Sequence, residues 1–428
     1  MIRQIDNFVP PYRSYTRLLA ILDLTTDSGL WSYSPELRPG QGAALYDSVV
    51  SNDSKEMMTF SDFPYPKENT PFMPHRMVLR HIQNYAEHFN LEKYIRFNTD
   101  VIDVQRNNDG KYWKLQIKEK DDKLSTEEFD YVMICTSVYN RAAIPSYPGM
   151  ENFKGNKIHA NEYREASKFK GKRVIVVGGS HSAGEISTEI ARNGAESTDI
   201  YPAWKGTMLS DEMQDRLAQG HIKPMVEIEE FKGNDVIFKD GTTLENVDAV
   251  IFATGYEFAV PTIDDSWLYD ESDKAEVYKY IFPVRVEHPE RLALINLVHS
   301  LGSHWPVAEL QARVAARVFA GNLVLPDKAT MRKDIEQKIQ YEKNKYHYVP
   351  VGPNTEELAE MLGVKPSFWR LLLTDPKLAM AFKYGPMVPY WYRLEGPGAW
   401  PGARDRILNA IENTTYALKG YPSPKEEK

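Results

Sequence analysis

The chain has 428 residues, 42% hydrophobic and 26% charged, with a formal net charge of −8. That length accommodates two or three domains with sizeable cores, and the acidic balance, with a pI near 5.8, argues against nucleic acid as the main partner. A single cysteine, Cys135, excludes an intramolecular disulfide and a dithiol redox centre; no apolar run approaches the ~18–20 residues of a bilayer span, so membrane contact is expected to be peripheral at most.

Taken in order, residues 1–27 open with Pro10-Pro11, which interrupts any regular element, and Tyr12 to Leu24 reads as one amphipathic helix. Leu18 to Leu22 is too short for a secretory signal. A Pro- and aromatic-rich loop follows from Phe60 to Pro74, then an amphipathic helix over Arg76 to Phe89. Tyr94 to Lys118 reads as strands joined by the hairpin signal Asn107-Asn-Asp-Gly110. They lead into an apolar strand, expected to be buried, that ends at Thr136-Ser137, with Cys135 near its end expected to be inert.

The most informative stretch is Lys172 to Glu185. Val174 to Val177 is a short apolar run suited to a strand buried on both faces of a parallel sheet. Gly178-Gly179-Ser180 allows a tight turn, and Ser182 to Arg192 has helical periodicity, stopped by Asn193-Gly194. Strand, glycine turn and helix in this order aim backbone N–H groups at one point, as a dinucleotide pyrophosphate requires. Gly178 is the first glycine of the fingerprint, Ser180 stands at the second place and Ala183 at the third. An ordinary buried strand–helix unit fits the same residues. After the next strand, Thr198 to Tyr201, no acid stands at the tip to read a ribose; Lys205 follows, which favours a 2′-phosphate and hence NADPH over NADH. A surface lysine is the plain alternative.

A second meander spans Met225 to Asp240, with turns at Gly233-Asn234 and Asp240-Gly241, and leads to an apolar strand ending at Thr254-Gly255. The repeated pattern implies an α/β protein of two dinucleotide-binding, Rossmann-like domains, one inserted in the other, each with a small antiparallel meander. The expected division is 1–165 for the first part of an FAD-type domain, 166–258 for an NADP-binding domain, and 259–428 for the return to the FAD-type domain plus a C-terminal helical extension. Nothing in residues 1–30 reads strand, glycine turn, helix.

Phe153-Lys-Gly-Asn-Lys-Ile-His-Ala-Asn-Glu-Tyr163 fits F-x-G-x-x-x-H-x-x-x-Y, and with it the chain resembles the flavin-containing monooxygenases. Ser51-Asn-Asp-Ser-Lys-Glu-Met57, Phe252-Ala-Thr-Gly-Tyr256 and Leu301-Gly-Ser-His-Trp305 carry the same resemblance. Leu373-Thr-Asp-Pro-Lys-Leu-Ala379 and Glu395-Gly-Pro-Gly-Ala-Trp400 point to the animal, dimethylaniline N-oxide-forming type. The resemblance implies FAD and NADPH as cofactors, with O2 and a soft amine or thioether as substrates. It also implies a place in the cytoplasm or at the surface of the endoplasmic reticulum membrane; oligomeric state is not legible.

By resemblance, Asn52 is the catalytic candidate, an amide able to donate and accept beside the flavin without changing charge; a turn-capping asparagine is the alternative. Ser51 and Asp53 flank it. Leu30, Trp31, Thr136, Ser137 and Gln311 match the flavin side, although core packing explains Leu30 and Trp31, and an exposed helix glutamine explains Gln311, equally well. Gly178, Gly179, Ser180, His181, Ser182, Ala183 and Gly184 match the NADP turn, with Lys205, Thr254 and Gly255 beside it; no metal site is expected. Phe153, His159 and Tyr163 are expected to brace a linker between the domains. The family begins with a GxGxxG turn for the FAD pyrophosphate, whereas this chain joins the pattern at Gly29-Leu-Trp31. Weak FAD retention is therefore the expectation, in a catalytically silent relative or in a chain missing its first exon.

Overall fold

The computed structural model describes residues 20–21, 29–36, 42–107, 110, 112–119, 121–136, 139–201, 211–257, 259–272, 274–339 and 348–419. The chain divides into two compact units, one of Met1–Ser32, Val50–Val138 and Ala259–Lys428, the other of Tyr33–Val49 and Tyr139–Phe258.

The inserted unit is built on a five-stranded parallel sheet. Its order is Ile222–Pro224, Ser197–Tyr201, Arg173–Val177, Ala249–Phe252, Asn156–His159. Val174 to Val177 and Ala249 to Ile251 have no exposed surface, as expected of strands covered on both faces. One cover is the helix His181–Arg192, which buries Ala183, Ile186 and Ile190. The other is the antiparallel meander of Ile228–Lys232, Asp235–Phe238 and Thr243–Leu244, which turns at the expected places.

The boundary of this unit falls earlier than the expected 165/166. Asn156–His159 pairs in parallel register with Ala249–Phe252, so the segment read as an interdomain linker is an edge strand of the inserted sheet. Phe153, His159 and Tyr163 therefore brace this unit internally. Phe153 packs on Phe231 at 5.4 Å between ring centroids, and the Tyr163 hydroxyl donates to Glu189 Oε2 at 2.8 Å.

In the larger unit, Val132–Ile134 pairs in parallel with Leu292–Leu294, and Thr99–Arg106, Trp113–Glu119 and Leu124–Phe129 form the first meander. Arg106 stands opposite Trp113, as the Asn107–Gly110 turn dictates. Helices His304–Phe319 and Val351–Leu362 close a core with Ile281, Phe282, Val314 and Leu358. Most of the helix expected over Tyr12 to Leu24 lies outside the described residues, but Ala20–Ile21 is a strand, parallel to Ile95–Arg96. That corrects the helical reading for these two residues. β-Branched Ile21 beside Ala20 suits a sheet once a partner strand exists, which periodicity alone cannot see.

Candidate functional site

In the inserted unit, the turn after Arg173–Val177 is shaped by contact. Gly178 has φ +151°, and a Cβ there would lie 2.3 Å from the Ala253 carbonyl oxygen, so only glycine fits. Its N–H donates to Tyr201 O at 2.8 Å, binding the turn to the neighbouring strand. Ser180 has φ −116° and caps the helix in extended backbone without a side-chain cap bond. Nothing about that conformation requires glycine, which explains the serine at the second fingerprint place. Gly179, Ala183 and Gly184 are buried, Ser180 and His181 half-buried, and Ser182 exposed.

The 12-residue helix His181–Arg192 has no acid in its first turn, so no carboxylate of that turn opposes its positive end. Glu185, one turn in, takes the Tyr46 hydroxyl as donor; burial pushes its carboxyl up, a shift the Tyr46 hydrogen bond opposes. First-turn N–H groups with the turn beneath them make an anion cradle, and these residues fit a dinucleotide pyrophosphate. Opposite, the Gly255 carbonyl accepts from Ala143 N–H at 3.0 Å and from the buried His159 ring at 2.9 Å, while Thr254 Oγ1 donates to Ala143 O. Gly255 has φ +79° and is exposed. Burial pushes the His159 imidazole down, so it serves as a neutral strut. Lys205 lies outside the described residues.

In the larger unit the candidate residues are scattered in sequence. Asn52 is exposed on a turn, between Ser51, which is buried, and half-buried Asp53. Ser51 Oγ accepts from Met73 N–H at 2.9 Å and donates to Asp53 O at 3.0 Å, so its described bonds shape the turn. Leu30 is exposed and Trp31 half-buried in the short 3-10 turn Gly29–Trp31. Thr136 is exposed beyond the strand Val132–Ile134, and Ser137 lies outside the described residues. Val132 and Ile134 of that strand are buried, and Cys135, one residue beyond it, is exposed.

Gln311 is wholly buried on the helix His304–Phe319, not an exposed helix glutamine. Its Oε1 accepts from Asn296 N–H at 2.8 Å, and its Nε2 has no partner among the described residues. A buried amide donor left open fits a ligand acceptor such as a flavin carbonyl.

Sequence reasoning missed an aromatic wall in this unit. Tyr65 stacks on His81 with 3.6 Å between centroids; Phe60 and Trp305 pack beside it, and Trp31 joins the same cluster. Burial pushes the His81 imidazole down to about 3, so it stays neutral and exchanges no proton at physiological pH. The signal available was the density of aromatics between Phe60 and Tyr85, but only the fold shows them on one surface. Among the described residues no group of His, Cys, Asp and Glu could hold a metal ion.

The chain matches the flavin-binding monooxygenase-like family model over residues 22–200 and 194–428. It is 34% identical to human flavin-containing monooxygenase 2, over 91% of this chain and 86% of that protein. Identity to human flavin-containing monooxygenase 5 is 35%, again over 91% of this chain and 86% of the relative. The S-allyl-L-cysteine S-oxygenase of Allium sativum superposes with a TM-score of 0.71 at 22% identity, covering 94% of this chain and 93% of that one, which is a likeness of fold.

Proposed function

Because this chain belongs to the flavin-binding monooxygenase-like family, we propose that its two sites divide one reaction, the inserted unit holding NADPH and the larger unit FAD. The protein is a flavin-dependent monooxygenase that uses NADPH and O2 to oxygenate soft nitrogen or sulfur nucleophiles. Bound FAD would supply the redox chemistry, accepting two electrons from NADPH so that one atom of O2 goes to the nucleophile and the other leaves as water.

The chain's own residues bind, orient and keep the site dry. The turn Gly178–Gly184 holds the NADPH pyrophosphate through first-turn N–H groups, and Lys205 reads the 2′-phosphate. Thr254 and Gly255 supply backbone close to the nucleotide. On the flavin side, Asn52 offers a neutral amide that donates and accepts without releasing a proton, and Gln311 Nε2 donates to the ring system. Leu30, Trp31, Ser51, Asp53, Thr136 and Ser137 complete the flavin contacts. The wall of Tyr65, His81 and Trp305 excludes water, which protects a reactive oxygen donor from side reactions.

The observation that carries this reading is the Gly178 turn, where carbonyl contact forbids any side chain beneath an open helix N-terminus. Its test is to supply excess FAD and NADPH and assay oxygenation of a tertiary amine and of a thioether. With excess FAD, a visible flavin absorption band and nearly one product per NADPH are expected; no bound flavin and no product would bear out the weak FAD retention expected from residues 1–30 and overturn this reading. Asn52→Ala should keep flavin and NADPH oxidation while hydrogen peroxide replaces product. Full product yield in that variant would make Asn52 a turn residue only.

No helix among the described residues is long and apolar enough to cross a membrane. We propose peripheral contact at most, supported by exposed Trp369, Leu373, Met380 and Tyr384 with Lys377 and Lys383 beside them. Release from anionic vesicles by high salt is expected; retention through a high-salt, alkaline wash would refute it.

A further inference from the structure

The turn that carries Asn52 is anchored from the far end of the chain. Asn52 itself is exposed, so no packing on its own side fixes it. The residues that follow, Lys55 and Glu56, are buried to 0% and 1% exposure. Two buried charges next to a solvent-facing turn are tolerated only where each is fully bonded. Lys55 Nζ donates to the carbonyls of Lys67, at 2.6 Å, and of Asn69. Glu56 receives a two-pronged guanidinium, Arg406 Nη2 to Oε1 at 2.7 Å and Nε to Oε2 at 3.1 Å, and the Tyr390 hydroxyl donates to the same Oε2 at 2.9 Å.

Arg406 belongs to the helix Ala403–Leu408, and Tyr390 to the turn Pro389–Arg393. Arg406 Nη2 also donates to the Tyr65 carbonyl. One guanidinium therefore fixes both the backbone beyond Asn52 and the tyrosine that stacks on His81. The fork geometry of Arg406 is specific, because an ammonium at the same place cannot span both carboxylate oxygens and the carbonyl.

We propose that Arg406 is a positioning residue for oxygen transfer, setting the Asn52 turn through Glu56, with Tyr390 as its second hand. This rests on the reading of Asn52 as a flavin-side amide. A turn displaced by a fraction of an ångström leaves cofactors bound but misplaces the amide. NADPH and a proton then reduce O2 to hydrogen peroxide by two electrons, in place of the oxygenated product and water. A purely structural Arg406 would instead lower melting temperature and flavin content, with no change in product per NADPH for the flavin-loaded fraction.

The experiment compares Arg406→Met, Arg406→Lys and Tyr390→Phe, each loaded with FAD and normalised to bound flavin. Product and hydrogen peroxide are measured per NADPH consumed. Arg406→Met should lower product per NADPH about tenfold, within what small misplacements cost, with peroxide making up the balance. Arg406→Lys should fall between it and the parent. Tyr390→Phe, which keeps the ion pair, should lose about twofold, less than Arg406→Met, because it removes only one of the bonds on Glu56. The double variant Asn52→Ala/Arg406→Met should be no worse than Asn52→Ala alone, since residues acting through one another are not additive. Unchanged coupling in Arg406→Lys and Tyr390→Phe would overturn the proposal even where Arg406→Met fails to fold, as would additive losses in the double variant. A parent protein without oxygenase activity, or a fully coupled Asn52→Ala, would instead sink the functional reading on which it rests.

Discussion

The candidate site of the inserted unit is one short stretch of backbone, whereas the candidate residues of the larger unit are side chains hundreds of residues apart in the chain. Gly178 to Gly184 needs little beyond the strand before it, the helix it opens and the Ala253 carbonyl pressed against it. In the larger unit, Glu56 pairs with Arg406 beyond the Asn52 turn, and Glu309 pairs with Arg393. A backbone site fails by steric exclusion at one residue, while a side-chain site fails gradually through its supports.

The sharpest way to break that contrast is Gly178→Ala. A Cβ placed 2.3 Å from a backbone carbonyl cannot be relieved by a side-chain movement, so NADPH binding should weaken by ~3 kcal/mol or more, about a hundredfold. Flavin content should be retained, since the change lies in the inserted unit. Titration of NADPH against the variant checks it, and unaltered affinity would contradict the steric reading.

Lys205→Ala should weaken NADPH by ~1–3 kcal/mol and leave NADH alone, if a charge-assisted bond to the 2′-phosphate is lost. Equal affinities of the variant and the parent for both nucleotides would assign Lys205 to the surface.

On the flavin side, Gln311→Leu removes both the open donor and the acceptor of Asn296 N–H. The unpaired buried amide should cost ~1–3 kcal/mol of stability, and FAD should bind more weakly. Denaturation and flavin titration would separate the two; loss of stability with unchanged flavin affinity would confine Gln311 to the loop.

The smallest effect concerns pH. Burial pushes the Glu309 carboxyl up, but Arg393 and Arg313 outweigh it and hold the group below the ordinary 4.5. A depressed folded value means that its stabilisation is present above the unfolded pKa and lost as pH falls through the folded one. Acidification below about 4.5 should thus destabilise the parent, and Glu309→Gln should flatten that part of the stability curve. At Glu56, burial outweighs Arg406 and pushes the carboxyl up. Its stabilising contribution is present below the unfolded pKa and lost as pH rises through the folded one, so Glu56→Gln should not flatten the acid limb. Parallel acid limbs for parent and Glu309→Gln would refute the assignment.

What the sequence determined by itself was whatever repeats over a few residues. Alternation and turn signals located both meanders, because Asn107–Gly110 and Gly233-Asn234 leave the backbone few other paths. The apolar run before Gly178 and the helical period after it located the strand, turn and helix there, because that unit is one continuous segment of backbone. The tertiary structure decided what depends on partners distant in the chain. It made Asn156–His159 a strand of the inserted sheet, buried Gln311, exposed Cys135 and turned Ala20–Ile21 into a strand beside Ile95–Arg96. It also joined Glu56 to Arg406 across 350 residues. Local periodicity carries no record of such pairings, because a buried charge or a short strand is stable only once the partner that desolvates and bonds it has arrived.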